Sequence, residues 1–146
     1  MFLIMGMPSV DALEPVSVRQ VLIMTETSRF KDAVAAQVAE TLRRDGHAVT
    51  TIELERLATQ PARNYQAIVL INTCRAWRPS STVREFLKSA NDADKQKLVI
   101  LTTANSGECD LGIAGVDAIS AASKRAAISA VSQTVVDKVR ARLAAP

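Results

Sequence analysis

The amino-acid sequence predicts an α/β protein, a three-layer sandwich in which one parallel sheet of five strands lies between two layers of helices. Three observations lead to this class. Short apolar runs alternate with amphipathic helical segments along the chain. The runs carry apolar residues at consecutive positions, which is typical of strands buried on both faces. Polar loops follow the runs. Strands that alternate with amphipathic helices in this way are joined by right-handed crossovers in a doubly wound parallel sheet.

Composition limits both the number of domains and the classes of partner. The 146 residues are 48% hydrophobic, enough for one well-packed domain and too few for two. A net charge of +3 suits an anionic small molecule, whereas 3% aromatic residues leave no stacking platform for single-stranded nucleic acid. The one histidine and two cysteines lack the spacing of metal ligands. We expect no nucleic acid and no metal.

Residues 1–18 are predicted to form an apolar arm and linker ahead of the domain at residues 19–146. The run FLIMGM is far shorter than the roughly 20 residues of a membrane-spanning helix. Val10 and Ala12 have the spacing of a signal-peptidase site. The sequence therefore leaves two alternatives for the arm: a membrane-associated remnant of a leader, or an apolar tail that packs on its own domain or on a second copy. The location, cytoplasmic or membrane-associated, and the formation of a homodimer are also left open.

The stretch VLIMTETSRFK predicts a buried strand, a polar loop and the start of a helix. Its loop supplies hydroxyls and its helix start supplies basic side chains: Thr25, Thr27, Ser28, Arg29 and Lys31. Unpaired N–H groups and the positive end of a helix dipole attract anions. We therefore expect an anion site here, with the alternative that Arg29 and Lys31 lie on the surface and contact only water.

The remaining elements repeat this pattern. Val34, Val38 and Leu42 recur every fourth residue and predict the first crossover helix, which Gly46 ends. Apolar and β-branched runs predict four further strands, at residues 47–54, 65–72, 97–103 and 116–120. Two more helical stripes follow, at residues 83–90 and 128–143. About a dozen residues separate the fourth and fifth strands, so the helix there is expected to be short or absent.

Two later loops complete a predicted site. The segment TCRAWRP after the third strand holds Arg75 and Trp77, and ANSGE after the fourth holds Asn105 and Ser106. The carboxyl ends of parallel strands share one edge of a sheet, where ligands of open α/β sheets bind. We expect these four residues and the five of the first loop to form one cofactor-binding or anion-binding site. Trp77 either contacts a ligand or partner or covers the core.

The arrangement resembles the flavodoxin-like family, with a likeness that covers about residues 19–143. That family has the strand order 2-1-3-4-5 and binds FMN at the carboxyl edge, so the resemblance implies this order and FMN as a possible cofactor. In its first-loop motif, Ser/Thr-x-Thr-Gly-x-Thr, the hydroxyls match Thr25 and Thr27. Ser28 replaces the glycine and Phe30 the last threonine. By position, Trp77 matches the aromatic residue that covers the flavin ring.

A closer resemblance is to small bacterial flavodoxin-like proteins of unassigned function that have an apolar N-terminal segment. It rests on NTCRAW at residues 72–77 and DAISAAS at residues 117–123, and it implies the fold and membrane association. DAISAAS also resembles the motif at which some respiratory subunits attach FMN covalently, with Ser123 as the acceptor. The alternative for Ser123 is that it caps the final helix.

Three functional hypotheses remain from different classes. We favour a flavodoxin-like domain with a degenerate flavin site that serves as a binding or assembly module. The first alternative is an FMN-binding protein of electron-transfer or quinone or NAD(P)H oxidoreductase type, and the second is a thiol-based redox protein that uses Cys74 and Cys109. Whether the protein is an enzyme, which reaction and redox partner it would have, and whether the two cysteines pair all stay open.

Overall fold

The computed structural model describes residues 19–104 and 116–144. They contain a five-stranded parallel sheet of order 2-1-3-4-5, which confirms the predicted class and strand order. The strands are β1 (Gln20–Thr25), β2 (Ala48–Glu53), β3 (Ala67–Thr73), β4 (Leu98–Ala104) and β5 (Asp117–Ala122). The N-terminal arm and the connection between β4 and β5 lie outside the described residues.

Helices lie on both faces of the sheet. They are α1 (Arg29–Arg44), α2 (Ser81–Ser89), α3 (Asp92–Lys95) and α4 (Ile128–Ala144), with 3-10 turns at Leu54–Thr59, Ala62–Asn64 and Arg125–Ala127. Helices α1 and α4 cover one face, and α2 packs with the Leu54–Thr59 turn on the other. No helix in the described part of the chain is long and apolar enough to cross a membrane.

The two faces explain why the strand sequences are continuously apolar. In β1, Val21 and Ile23 pack into the core beneath α1 and α4, whereas Leu22 and Met24 pack into the core beneath α2. All four side chains are fully buried. Each face of a central strand therefore needs its own apolar residues, and the sequence shows a run instead of an alternation.

Helix α1 begins where the sequence places a cap. The Ser28 hydroxyl accepts a hydrogen bond from the Lys31 amide at 3.1 Å. The helix ends at Arg44, and Gly46 adopts a φ of 97° in the turn that leads to β2. Positive φ is the conformation in which glycine costs least, so the glycine stop is confirmed.

Two expectations about helices need correction. Between β2 and β3 the described chain has a 3-10 turn, Leu54–Thr59, whose Leu54 and Leu57 are buried, whereas the sequence predicted a strand as far as residue 54 and no helical element before residue 65. The last helix begins at Ile128 after another 3-10 turn, so Ser123 does not cap it. Ser123 lies in the loop after β5 instead, because that strand extends to Ala122.

Ion pairs join the elements that meet at the amino edge of the sheet. Arg140 of α4 donates two hydrogen bonds to Asp45 after α1, at 2.9 and 3.1 Å. Asp117 at the start of β5 pairs with Lys138 at 2.9 Å and with Arg142 at 3.3 Å. The hydrogen bonds from Arg140 lower the pKa of Asp45 below its ordinary value. These pairs fasten α4 to α1 and to the edge strand.

Candidate functional site

Two adjacent cavities open at the carboxyl edge of the sheet, and each has a volume of about 490 Å³. Both are lined by Lys31, Thr73 and Arg75. The first, here the β4-side cavity, is further lined by Ser28, Phe30, Cys74, Thr103, Ala104 and Ser123. The second, the β2-side cavity, is further lined by Glu26, Thr27, Glu53, Glu55 and Arg56. The shared residues make these cavities two halves of one candidate site.

Lys31 is the most unusual residue of this site. It is only 7% exposed, although it lies in the first turn of a helix that begins at the sheet edge. Its ammonium group has no hydrogen-bond or ion-pair partner among residues 19–104 and 116–144. A buried lysine is normally paired, and an unpaired one extends its charge to the nearest polar space. Here that space is the pair of cavities.

The backbone beside Lys31 offers further donors. The Lys31 amide is satisfied by Ser28, but the amides of residues 27–30 donate to no atom in the described part of the chain. Such unpaired amides carry the positive end of the helix dipole. Together with the Lys31 ammonium they form an arrangement that suits a phosphate or carboxylate group.

The structure brings some of the predicted site residues together and separates others. Ser28, Lys31 and Arg75 line the β4-side cavity, and Thr27 lines the β2-side cavity. Thr25 is buried and its hydroxyl donates to the Glu26 carbonyl oxygen at 2.8 Å. Arg29 and Trp77 are exposed and line neither cavity. The remaining two, Asn105 and Ser106, lie outside the described residues.

Several lining residues were not predicted. Glu26 contributes a carboxylate oxygen, Oε1, that is buried without a hydrogen-bond partner among the described residues. Glu53 and Arg56 reach the site because β2 is the direct neighbour of β1. Thr73 and Thr103 are adjacent because β3 and β4 pair in register at these two residues. The sequence feature that could have predicted these residues is their position near the carboxyl end of a strand.

The turn between Arg75 and Arg78, here the Trp77 turn, has a strained backbone. Ala76 and Trp77 have φ of 52° and 67°, although neither is glycine. The amides of Arg75 and Arg78 each donate to the carbonyl of the other, at 2.8 and 3.0 Å. Such two-residue turns favour Asn-Gly, and a residue with a Cβ costs about 1–2 kcal/mol in this conformation. The turn leaves Trp77 76% exposed.

Asn72 holds this strained turn in place. It is fully buried at the end of β3, and its side-chain oxygen accepts from the Ser80 amide at 2.8 Å. Its side-chain nitrogen donates to the Leu101 carbonyl at 3.2 Å and to the Thr102 hydroxyl at 3.1 Å. One amide group therefore ties the far end of the loop to the neighbouring strand β4.

Cys74 adds a second restraint to the same loop. Its amide donates to the Thr103 carbonyl at 2.8 Å, and its sulfur is disulfide-bonded. Cys109, the other cysteine of the sequence, lies outside the described residues. Cys74 is therefore not a free thiol, and the hypothesis of a thiol-based redox protein stays a prediction.

Similarity to solved structures agrees with this geometry. A flavodoxin from the domain Archaea superposes with a TM-score of 0.57 at 8% identity, over 84% of this chain and 98% of that one. The chain has the flavodoxin-like fold. The oxidised Flavodoxin 2 of Bacillus cereus gives a TM-score of 0.54 at 13% identity, over 84% of this chain and 99% of that one. The flavodiiron protein of Giardia intestinalis gives 0.60 at 9% identity, over 86% of this chain and 36% of that one.

Comparisons at the level of sequence give no match. No protein-family model and no curated protein matches the chain. Identities of 8 to 13% to the three flavodoxin-fold structures establish the architecture alone.

The described residues fit one end of FMN better than the other. The Lys31 ammonium and the unpaired amides of residues 27–30 suit its phosphate. A flavin ring needs flat apolar faces, and Trp77 lines neither cavity. Phe30 is the one aromatic residue among those that line the two cavities, and it is 7% exposed and packed in the core beneath α1 and α4. The phosphate fits this chain, and the ring is left without a stacking partner among the described residues.

Proposed function

We propose that this chain is a flavodoxin-like binding domain with a degenerate flavin site, which captures the phosphate-type group of an anionic small molecule at its carboxyl edge. The observation that carries the proposal is Lys31, a buried lysine whose ammonium has no partner in the described chain and borders both cavities. The ammonium nitrogen is not one of the fully buried unpaired atoms of the described chain, so the side chain extends its charge to the cavities. A ligand anion that enters the cavities would pair with this charge.

The surrounding groups define the rest of the ligand. Arg75 borders both cavities and provides a second positive charge at their rim. The hydroxyls of Thr73, Thr103 and Ser123 and the unpaired carboxylate oxygen of Glu26 suit a ligand with hydroxyl or amide groups. A volume of about 490 Å³ per cavity lies in the range of small-molecule sites.

Binding without catalysis agrees with the side-chain chemistry. Among the described lining residues, no hydrogen bond joins a hydroxyl or the Lys31 ammonium to a carboxylate. Nucleophilic catalysis by a hydroxyl or an amine commonly uses an adjacent base of this kind to activate the reacting group. The lining residues are therefore equipped to hold an anion and its polar substituents.

The test is titration calorimetry of the full chain with inorganic phosphate and with FMN. Lys31→Met keeps the length of the side chain and removes its charge, so we expect it to weaken phosphate binding by about 1.5–3 kcal/mol, the range for a charge-assisted hydrogen bond. Lys88→Met is the matched control, because Lys88 is an exposed lysine on α2. Wild-type protein that binds neither ligand at millimolar concentration would refute the proposal.

An FMN-binding electron-transfer protein is the second candidate, and the phosphate-suited helix start in a flavodoxin-like fold favours it. This candidate requires that FMN bind far more tightly than phosphate alone, because the ring would add stacking and apolar burial. The expected observation is a yellow purified protein whose flavin fluorescence is quenched. Equal affinities for FMN and inorganic phosphate would favour the degenerate site.

A further inference from the structure

Trp77 is the one large hydrophobic side chain that is exposed in the described part of the chain, at 76%. It stands at the tip of a turn closed by two backbone hydrogen bonds and fastened through the buried Asn72. The turn holds it there with two non-glycine residues at positive φ. Strain of this kind persists where the presented side chain has a use, because a glycine would relieve it.

Basic residues lie at the same edge of the sheet as this tryptophan. Exposed basic residues follow the carboxyl ends of β1, β3 and β5: Arg29, Arg75, Arg78, Lys124 and Arg125. None of the five has an ion-pair partner among the described residues. Among the described residues, the acidic ones at this edge are Glu26, Glu53 and Glu55 towards β2 and Asp32 in the first turn of α1. The described charged residues on the side of the edge that carries Trp77 are therefore basic.

We propose that this edge docks on an anionic lipid surface, with Trp77 at the level of the headgroups. Tryptophan prefers the membrane–water interface, and unpaired basic residues are attracted by acidic lipids. A protein partner suits the surface less well, because a stable protein interface needs a contiguous apolar centre of several residues. Here one aromatic side chain stands among cations. The inference goes beyond the small-molecule site and does not depend on it, because Trp77, Arg78 and Arg125 line neither cavity.

The test uses the fluorescence of Trp77, the only tryptophan of the chain. Vesicles of phosphatidylcholine mixed with an equal amount of phosphatidylglycerol should shift its emission to shorter wavelength and protect it from acrylamide quenching. Vesicles of phosphatidylcholine alone should leave the emission unchanged. High salt should reverse the shift, because it screens exposed charges.

Charge-removing variants locate the docking surface. Each basic residue near an acidic membrane contributes about fivefold in affinity, so Arg78→Gln with Arg125→Gln should weaken binding about thirtyfold. The matched control is Arg19→Gln with Arg63→Gln, two exposed arginines at the amino edge, which should change the affinity less than about threefold. Three results would overturn the proposal: unchanged emission with anionic vesicles, an equal shift with neutral vesicles, or equal losses in both double variants. Co-sedimentation with vesicles while the Trp77 emission stays constant would also overturn it, because another surface would then be bound.

Discussion

The two edges of the sheet differ in how their charged side chains are paired and in which residues adopt positive φ. At the amino edge, Asp45 is bonded twice by Arg140, and Gly46 occupies the position with positive φ. At the carboxyl edge, Lys31 has no partner among the described residues, and Ala76 and Trp77 adopt positive φ without the benefit of glycine. Asp45 and Gly46 follow the rules that stabilise a fold, whereas Lys31, Ala76 and Trp77 depart from them. The amino edge has its own departures, because His47 Nδ1 and Arg142 Nε are buried without a hydrogen-bond partner among the described residues.

This difference indicates which edge is constrained more by function than by stability. Local departures from stabilising rules cost free energy, and natural proteins concentrate them at functional sites. The amino edge also has a cavity, of about 290 Å³, which is lined by Arg19, Arg63 and Arg142. However, Arg142 pairs with Asp117, so part of this charge is already neutralised. The contrast supports the carboxyl edge as the binding edge.

The largest expected effect concerns the residue that holds the strained turn. Asn72→Ala removes the three side-chain hydrogen bonds to Ser80, Leu101 and Thr102 and leaves buried partners unsatisfied. We expect a loss of about 3 kcal/mol in the free energy of unfolding, measured with urea. Hydrogen exchange at the Arg75 and Arg78 amides should quicken as the turn loosens.

Asn64→Ala is the control for this prediction, because Asn64 is an exposed asparagine in a 3-10 turn near the amino edge. It should change the free energy of unfolding by less than about 0.5 kcal/mol. Equal losses of unfolding free energy in the two variants would show that the buried hydrogen bonds of Asn72 contribute no special stability, and unchanged exchange at Arg75 and Arg78 would show that the Trp77 turn does not depend on them.

A pair of glycine exchanges sharpens the comparison of the two turns. Gly46→Ala should destabilise the protein by about 1 kcal/mol, because a Cβ at φ 97° strains the backbone even though no atom lies within 4 Å of it. Ala76→Gly should stabilise the protein by about 0.5 kcal/mol, since relief of strain at φ 52° exceeds the entropy that glycine adds to the unfolded chain. Urea denaturation measures both, and a stability loss in Ala76→Gly would show that this turn stores no strain.

A smaller effect concerns the pH dependence of the amino edge. Hydrogen bonds from Arg140 lower the pKa of Asp45 in the folded protein. The stability they contribute is therefore fully present above the unfolded pKa of Asp45, near 3.8, and is lost as pH falls through the lower folded value. Asp45→Asn should reduce the melting temperature at neutral pH, and its difference from wild type should shrink in strong acid.

Glu85→Gln provides the control for this pH dependence, because Glu85 belongs to an exposed ion pair with Lys88 at 3.6 Å. Such a pair contributes little, so its melting curve should follow the wild type at every pH. If the deficit of Asp45→Asn were the same at all pH values, the charge of Asp45 would have no part in stability.

The sequence predicted the sheet well because the physical signal was local. Fully buried strands need apolar residues at every position, and helix α1 carries both its serine cap and its glycine stop in the sequence. The sequence did not predict the 3-10 turn in the connection between β2 and β3. This turn buries only Leu54 and Leu57, too few residues to show a helical period.

The site was harder to predict because its main features depend on tertiary structure. A lysine in a first helical turn is usually exposed, and only the packing of the folded chain shows that Lys31 is buried. The sequence placed Trp77 in the correct loop, but no local pattern revealed that the turn would adopt positive φ and that this exposed residue would line neither cavity. The sequence did not predict Glu26 as a site residue, because the structure is needed to show that one of its carboxylate oxygens is buried without a hydrogen-bond partner.

The most direct test of the central claim is the titration of isotope-labelled full-length protein with inorganic phosphate, followed by amide NMR. We expect the amides of residues 27–30 to shift most, because they lack partners in the described structure and lie beside Lys31. Lys31→Met should reduce these shifts. Shifts confined to the amino-edge residues Arg19, Gln66 and Lys97 would contradict the account, because the anion would then bind at the opposite edge of the sheet.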